Sequence, residues 1–164
     1  MAKQVIVTGS SGIAAALIRA LDARGDAIYI VGGVDSESES LSNECKNVKG
    51  FSSVDLREED QSVSAFTSAE RALGKITDVV GIVGGSGRKF GDGRVEEISL
   101  DAWNRTWALN LSTAFLTLRE GVKLLKKSGG SITLTGSVLA TSPVKEHFTT
   151  HAYATSKAAL EGLV

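Results

Sequence analysis

The run Lys3-Gln4-Val5-Ile6-Val7-Thr8, followed at once by Gly9-Ser10-Ser11-Gly12-Ile13, constrains the fold more than any other stretch of the chain. Lys3 to Thr8 is apolar, rich in β-branched residues and cut off by glycine, which reads as a short buried strand. Ala14 to Leu21 then holds strong helix formers with an apolar stripe. Strand, glycine turn and helix, in that order, aim helix N-terminal amides at a phosphate group. A glycine pair alone fits a plain tight turn in an α/β protein equally well.

The alternation continues downstream. Ala27 to Val31, Val48 to Val54, Ile76 to Val83 and Gly130 to Thr135 read as further strands. Glu58 to Leu73 reads as a helix with Val63, Phe66, Ala69, Ala72 and Leu73 inside. Ser36 to Lys46 is polar and serine-rich, a short exposed helix or loop. Ser99 to Lys127 is a long helical stretch with Ser99 at its N-cap, and Ala152 opens another helix. Strands alternating with helices predict an α/β chain with a parallel sheet covered on both faces. At 164 residues a single domain spanning 1–164 is expected.

Tyr153 and Lys157 are four apart, so on a helix they share one face. A free tyrosine, with a pKa near 10, is a poor base at neutral pH. A cation within a few ångströms lowers such a value by roughly 1–3 units and brings the phenol into range for proton transfer. Ser137 follows the apolar run Ile132 to Leu134, where a strand-end hydroxyl can face the tyrosine and hold a substrate oxygen. Taken alone, Tyr-x-x-x-Lys also describes two polar residues on an exposed helix face.

Thr8-Gly9-Ser10-Ser11-Gly12-Ile13, with Asn110, Ser137, Tyr153 and Lys157 in that order, resembles the classical short-chain dehydrogenase/reductase family. The resemblance covers essentially the whole chain. It implies a Rossmann-type doubly wound parallel sheet flanked by helices and an NAD(P)-dependent oxidoreductase acting on an alcohol or carbonyl. It further implies a catalytic set of Asn110, Ser137, Tyr153 and Lys157. Tyr153 would exchange the proton, Lys157 would lower the tyrosine pKa and bind the nicotinamide ribose, Ser137 would hold the substrate oxygen, and Asn110 would kink its helix and hold a relay water. The cofactor would be held by Gly9, Ser11, Gly12, Ile13, Asp55, Leu56, Gly84, Gly85, Tyr153 and Lys157. Asp55 would touch the adenine; as a residue it equally suits the N-cap of the helix beginning near Arg57.

The chain departs from the family pattern at three places. The glycine turn is one residue short between Gly9 and Gly12, and Ala14 stands where the last glycine usually does. Ile82-Val83-Gly84-Gly85 replaces Asn-Asn-Ala-Gly, so packing must do the bracing of the first asparagine. Gly32 occupies the position where an acidic residue would select NAD, with Asp35 three residues later. The choice between NAD and NADP stays open, with a slight lean to NADP unless Asp35 folds back. These departures, and an end only seven residues past Lys157, keep a second reading open: a non-catalytic nucleotide-binding module or an inactive fragment.

Net charge is −1, from 18 basic and 19 acidic residues, which calls for neither nucleic acid nor a membrane surface as partner. No apolar run reaches the roughly 18 residues of a membrane span, and the cytoplasm is the default location. Cys45 is the sole cysteine, so an internal disulfide is excluded, and its polar setting suggests a partly exposed thiol. His147 and His151 are four apart but lack a third ligand nearby, so no metal is expected. The Trp103, Trp107, Leu111, Ala114, Leu118 stripe reads as core or subunit interface. A homo-oligomer, dimer or tetramer, is expected through helices 99–127 and 152–164.

Overall fold

The computed structural model describes residues 2–142 and 149–164. The chain forms two compact units: Met1–Ile82 with Leu116–Leu134, and Val83–Phe115 with Thr135–Val164.

The first unit carries the sheet. Its strands are β1 (Gln4–Thr8), β2 (Ala27–Val31), β3 (Val48–Ser52), β4 (Asp78–Gly81) and β5 (Ser131–Leu134), in the order β3-β2-β1-β4-β5 and all parallel. Its helices are α1 (Ile13–Ala23), α2 (Asp35–Glu44), α3 (Glu59–Leu73) and the greater part of α5 (Thr113–Ser128). Strand side chains alternate between faces. Val5, Val7, Ile28 and Ile30 therefore share one face, where they pack with Ala14, Ile18 and Leu21 of α1 and with Leu41 and Cys45. Ile6 and Val79 share the other. There α5 comes so close that a Cβ on Gly121 would lie 3.0 Å from Ile132 and 3.3 Å from Val79. Beside it α3 is tied by Glu59–Arg119 (2.7 Å) and Glu70–Lys127 (2.9 Å). The sheet is thus doubly wound, as the alternating pattern requires.

Several local expectations change. β4 stops at Gly81, because the next amide, Ile82 N, donates to the Thr8 hydroxyl (2.9 Å) instead of extending the ladder. The Ile82 side chain packs against the core, the bracing expected of an aliphatic there. The buried stripe of α3 is Ser62, Ala65, Phe66 and Ala69, and Val63 and Ala72 lie outside. Ser62 is drawn in because its hydroxyl donates to the Leu56 carbonyl (3.3 Å). The serine-rich segment is a helix, α2, held by buried Leu41. Cys45, at its end, is buried rather than partly exposed, and that burial pushes its thiol pKa up.

The second unit is built on α4 (Leu100–Trp107), a π-turn over Ala108–Ser112, the start of α5, and α6 (His151–Ala159). Ser99 caps α4 as expected, accepting from Ala102 N (3.1 Å). Trp103 and Trp107 stack with ring centroids 5.4 Å apart. The long helix expected over 99–127 is therefore interrupted at its middle by five residues of wider winding. Such π-turns are rare and occur frequently at functional sites.

Candidate active site

In the first unit the glycine turn is anchored through Gly9 and Ser10. Gly9 N donates to the Val31 carbonyl (2.9 Å), and Gly9 and Gly12 take φ values of 96° and 54°. Ser10 is buried; its hydroxyl donates to Glu37 (2.9 Å) and accepts from Val34 N (3.2 Å). Gly33, at φ 89°, passes so close that a Cβ there would fall on the Ser10 hydroxyl. Ser11, Gly12 and Ile13 are exposed at the start of α1, which has no side-chain cap and no acidic residue in its first turn. An uncapped, acid-free helix N-terminus behind a glycine turn suits a phosphate. The shortened turn thus keeps an exposed, acid-free helix start.

Asp55 and Leu56 follow β3. Both carboxylate oxygens of Asp55 are engaged by the Arg57 guanidinium, whose hydrogen bonds hold the carboxyl below its usual range. Asp55 does not cap α3, which begins at Glu59 behind Glu58. Leu56 is buried under Gly32, where a Cβ would lie 2.9 Å from it.

In the second unit the residues singled out from sequence gather around two glycines. Asn110 lies in the π-turn and is fully buried. Its Oδ1 accepts from Gly85 N (3.0 Å), and its Nδ2 donates to the carbonyls of Gly85 and Thr106 (2.9 Å each). A Cβ built on Gly84 would lie 2.7 Å from Asn110 Oδ1 and 3.4 Å from Lys157 Nζ. Lys157 is buried in α6, and its Nζ donates to the Thr135 carbonyl (2.7 Å). Burial lowers its pKa below the ordinary lysine value. One turn earlier on α6 stands half-buried Tyr153, whose ring centroid is 5.8 Å from Lys157 Nζ. Ser137 follows β5 and opens a short 3₁₀ turn (Val138–Ala140), its hydroxyl accepting from Leu139 N (3.2 Å). That turn packs against α6.

Sequence reasoning missed Asp92. It is 7% exposed, and its carboxylate accepts from Ala152 N (3.0 Å) and Tyr153 N (2.9 Å), the first turn of α6. No local pattern signals a cap supplied from 60 residues away. His151 Nδ1 hydrogen-bonds the Gly93 carbonyl (2.9 Å), while His147 lies outside the described residues. Among the described residues no cluster of three metal-ligating side chains is present.

Residues 3–164 match the family model described as short chain dehydrogenase. The chain is 30% identical over 172 residues to a D-beta-hydroxybutyrate dehydrogenase of Rhizobium meliloti, covering 99% of this chain and 63% of that protein. It is 27% identical over 158 residues to a 3-alpha-(or 20-beta)-hydroxysteroid dehydrogenase of Mycobacterium tuberculosis, covering 94% and 57%. Among solved structures, a short-chain dehydrogenase/reductase from Vibrio parahaemolyticus superposes with a TM-score of 0.84 at 28% identity, over 97% of this chain and 74% of that one. One from Serratia marcescens gives 0.85 at 26% identity, over 98% and 65%. The chain therefore spans less than two thirds of the length of these curated relatives.

Proposed function

Since the chain belongs to the short-chain dehydrogenase family, we propose that it serves an NAD(P)-dependent oxidoreductase acting between an alcohol and its carbonyl, with Tyr153 as acid/base and the chain acting as one domain. The observation that carries this is the convergence of Lys157 Nζ and Asn110 Oδ1 on Gly84, one helical turn from the Tyr153 phenol. A buried ammonium and a backbone kept free of side chain are what proton transfer beside a bound ribose needs.

When bound, a nicotinamide cofactor supplies the hydride donor or acceptor. The turn amides at Gly9, Ser11, Gly12 and Ile13 would hold its pyrophosphate, and Asp55 and Leu56 its adenine. Gly84, Gly85, Tyr153 and Lys157 would hold the nicotinamide ribose. The Tyr153 hydroxyl gives its proton to the substrate oxygen in reduction and takes it back in oxidation. Lys157 stabilises negative charge on the phenol oxygen as the proton leaves. Ser137 turns its hydroxyl hydrogen to the same substrate oxygen while its lone pair keeps the Leu139 amide. Asn110, its side chain spent on Gly85 and Thr106, supports the relay by fixing the backbone.

Between cofactors we favour NAD, against the slight lean of the sequence alone. Asp35 and Glu37 stand in the first turn of α2, and Glu37 reaches Ser10 of the glycine turn, so a 2′-phosphate there would meet carboxylates. An apolar cavity of about 390 Å³ lined by Leu111, Phe115, Ala159 and Leu163 supports association of copies through these helices. No helix of the described residues is long and apolar enough to cross a membrane. The replacement of the family's two asparagines by Ile82 and Val83 favours the second reading, a non-catalytic nucleotide-binding chain or an inactive fragment.

Fluorescence titration with NADH and NADPH, followed by turnover assays of Tyr153→Phe, tests the proposal. Tighter NADH binding and loss of turnover with binding intact are expected. Retained turnover in Tyr153→Phe refutes the acid/base assignment, and cofactor binding without any wild-type turnover establishes the non-catalytic reading.

A further inference from the structure

We infer that Asp92 is a positioning residue for Tyr153: it sets the first turn of α6 from outside the helix. α6 has no cap of its own, since the Thr150 side chain at the N-cap does not accept from the helix amides and the first turn contains no acidic residue. The first amides of a helix have no intrahelical acceptor. Asp92 supplies two of the missing acceptors, Oδ1 for Ala152 N at 3.0 Å and Oδ2 for Tyr153 N at 2.9 Å, and its charge opposes the positive end of the helix. One of the two bonds ends on the backbone of the proposed acid/base itself.

The strap that carries Asp92 is held firmly enough to act as a reference point. Gly87 and Gly91 turn the chain at φ 73° and 98°, and Asp92 N returns to the Gly87 carbonyl (3.2 Å). Gly87 is pressed so tightly against Thr106 of α4 that any side chain there would collide with it and with Asp92 Cβ. The next residue continues the clasp, because the Gly93 carbonyl meets both His151 N (3.3 Å) and His151 Nδ1 (2.9 Å). The Tyr153 phenol is therefore located by a carboxylate on the loop that follows Gly84 and Gly85, and not by α6 alone.

This inference rests on the oxidoreductase reading, and the test separates the two. Asp92→Ala and Asp92→Asn are compared with the wild type for kcat, KM, NADH dissociation constant, and hydrogen exchange of the Ala152 and Tyr153 amides. Small misplacements of a reacting group cost up to about a hundredfold in rate. Asp92→Ala is expected to lose protection at both amides and about ten- to a hundredfold in kcat, with KM and NADH binding within about twofold. Asp92→Asn retains one acceptor oxygen and is expected to fall between. Unchanged kcat despite lost protection overturns the inference, as does a fall in kcat matched by equal losses in NADH binding and melting temperature. If the wild type has no turnover, the oxidoreductase reading fails first. Positioning is then decided by 13C-labelled tyrosine, since the chain has two tyrosines. The Tyr153 resonance must shift in Asp92→Ala while Tyr29 stays, and an unmoved Tyr153 refutes it.

Discussion

Removing the Asn110 side chain should loosen the loop that carries Gly84 and Gly85, and the cost follows from its three hydrogen bonds. Oδ1 takes the Gly85 amide at 3.0 Å, and Nδ2 serves the Gly85 and Thr106 carbonyls at 2.9 Å each. A net hydrogen bond contributes about 0.5–1.5 kcal/mol, and a buried group left unpaired costs about 1–3 kcal/mol. The bond to Thr106 is fully buried and counts in full; the two to Gly85 are partly exposed, so water recovers some of their loss. Asn110→Ala is therefore expected to lose roughly 2 kcal/mol, a sizeable share of a typical domain's stability. Asn110→Asp keeps the acceptor for Gly85 N but aims its second oxygen at two carbonyl oxygens, so at pH 7 it should be the worse of the two. Urea unfolding followed by tryptophan emission reads both, since Trp107 immediately precedes the π-turn and Trp103 stacks on Trp107. A loss below about 0.5 kcal/mol in Asn110→Ala, or an Asp variant more stable than Ala, would refute the bracing argument.

Gly33→Ala should weaken NADH binding and lower the melting temperature, because the left-handed φ of 89° costs about 1–2 kcal/mol with a Cβ and the added methyl must displace Ser10. Asp26 is buried, and its hydrogen bonds to Lys3 N (2.8 Å) and Arg24 Nε (2.7 Å) outweigh the opposing effect of burial and hold its pKa below the ordinary carboxylate value. Its stabilisation is thus present above about pH 4 and lost as pH falls through the folded-state value, so Asp26→Asn should be less stable at pH 7 by roughly 1–2 kcal/mol and lose less on acidification. Burial gives Lys157 the opposite behaviour: its folded pKa lies below the ordinary 10.5, so wild-type stability should gain on Lys157→Met as pH rises toward that value. A difference between the two stability curves that stays flat up to that pH would contradict the burial argument.

The legibility of the chain varied with how local the cause was. β2 reads directly, because Ala27–Val31 is an apolar run closed by two glycines. The ends of α3 read to within a residue, but its inner face did not, since Ser62 looks polar until its hydroxyl is seen to satisfy Leu56. Wider winding at Ala108–Ser112 leaves no trace in helix propensity, since Ala108, Leu109 and Leu111 are ordinary helix formers. Asn110, Tyr153 and Lys157 stand out by motif, and helical spacing already places the last two together. Asp92 does not, because neither its neighbours nor its spacing announce that its partners lie sixty residues on.

Wider winding over Ala108–Ser112 also bears on how this chain tolerates changes in length. A π-turn is equivalent to one extra residue accommodated within an otherwise regular helix. Each residue of an α-helix advances the face by about 100°, so an insertion or deletion elsewhere in 100–128 would swing the buried and exposed sides out of phase. Loss of one residue inside 108–112 would instead let the winding relax to the regular form, with both flanking stretches keeping their faces. Aligned copies of such a helix can therefore differ by a gap at this point while matching on either side of it, and where Asn110 itself is the residue lost the Gly85 backbone loses its partner.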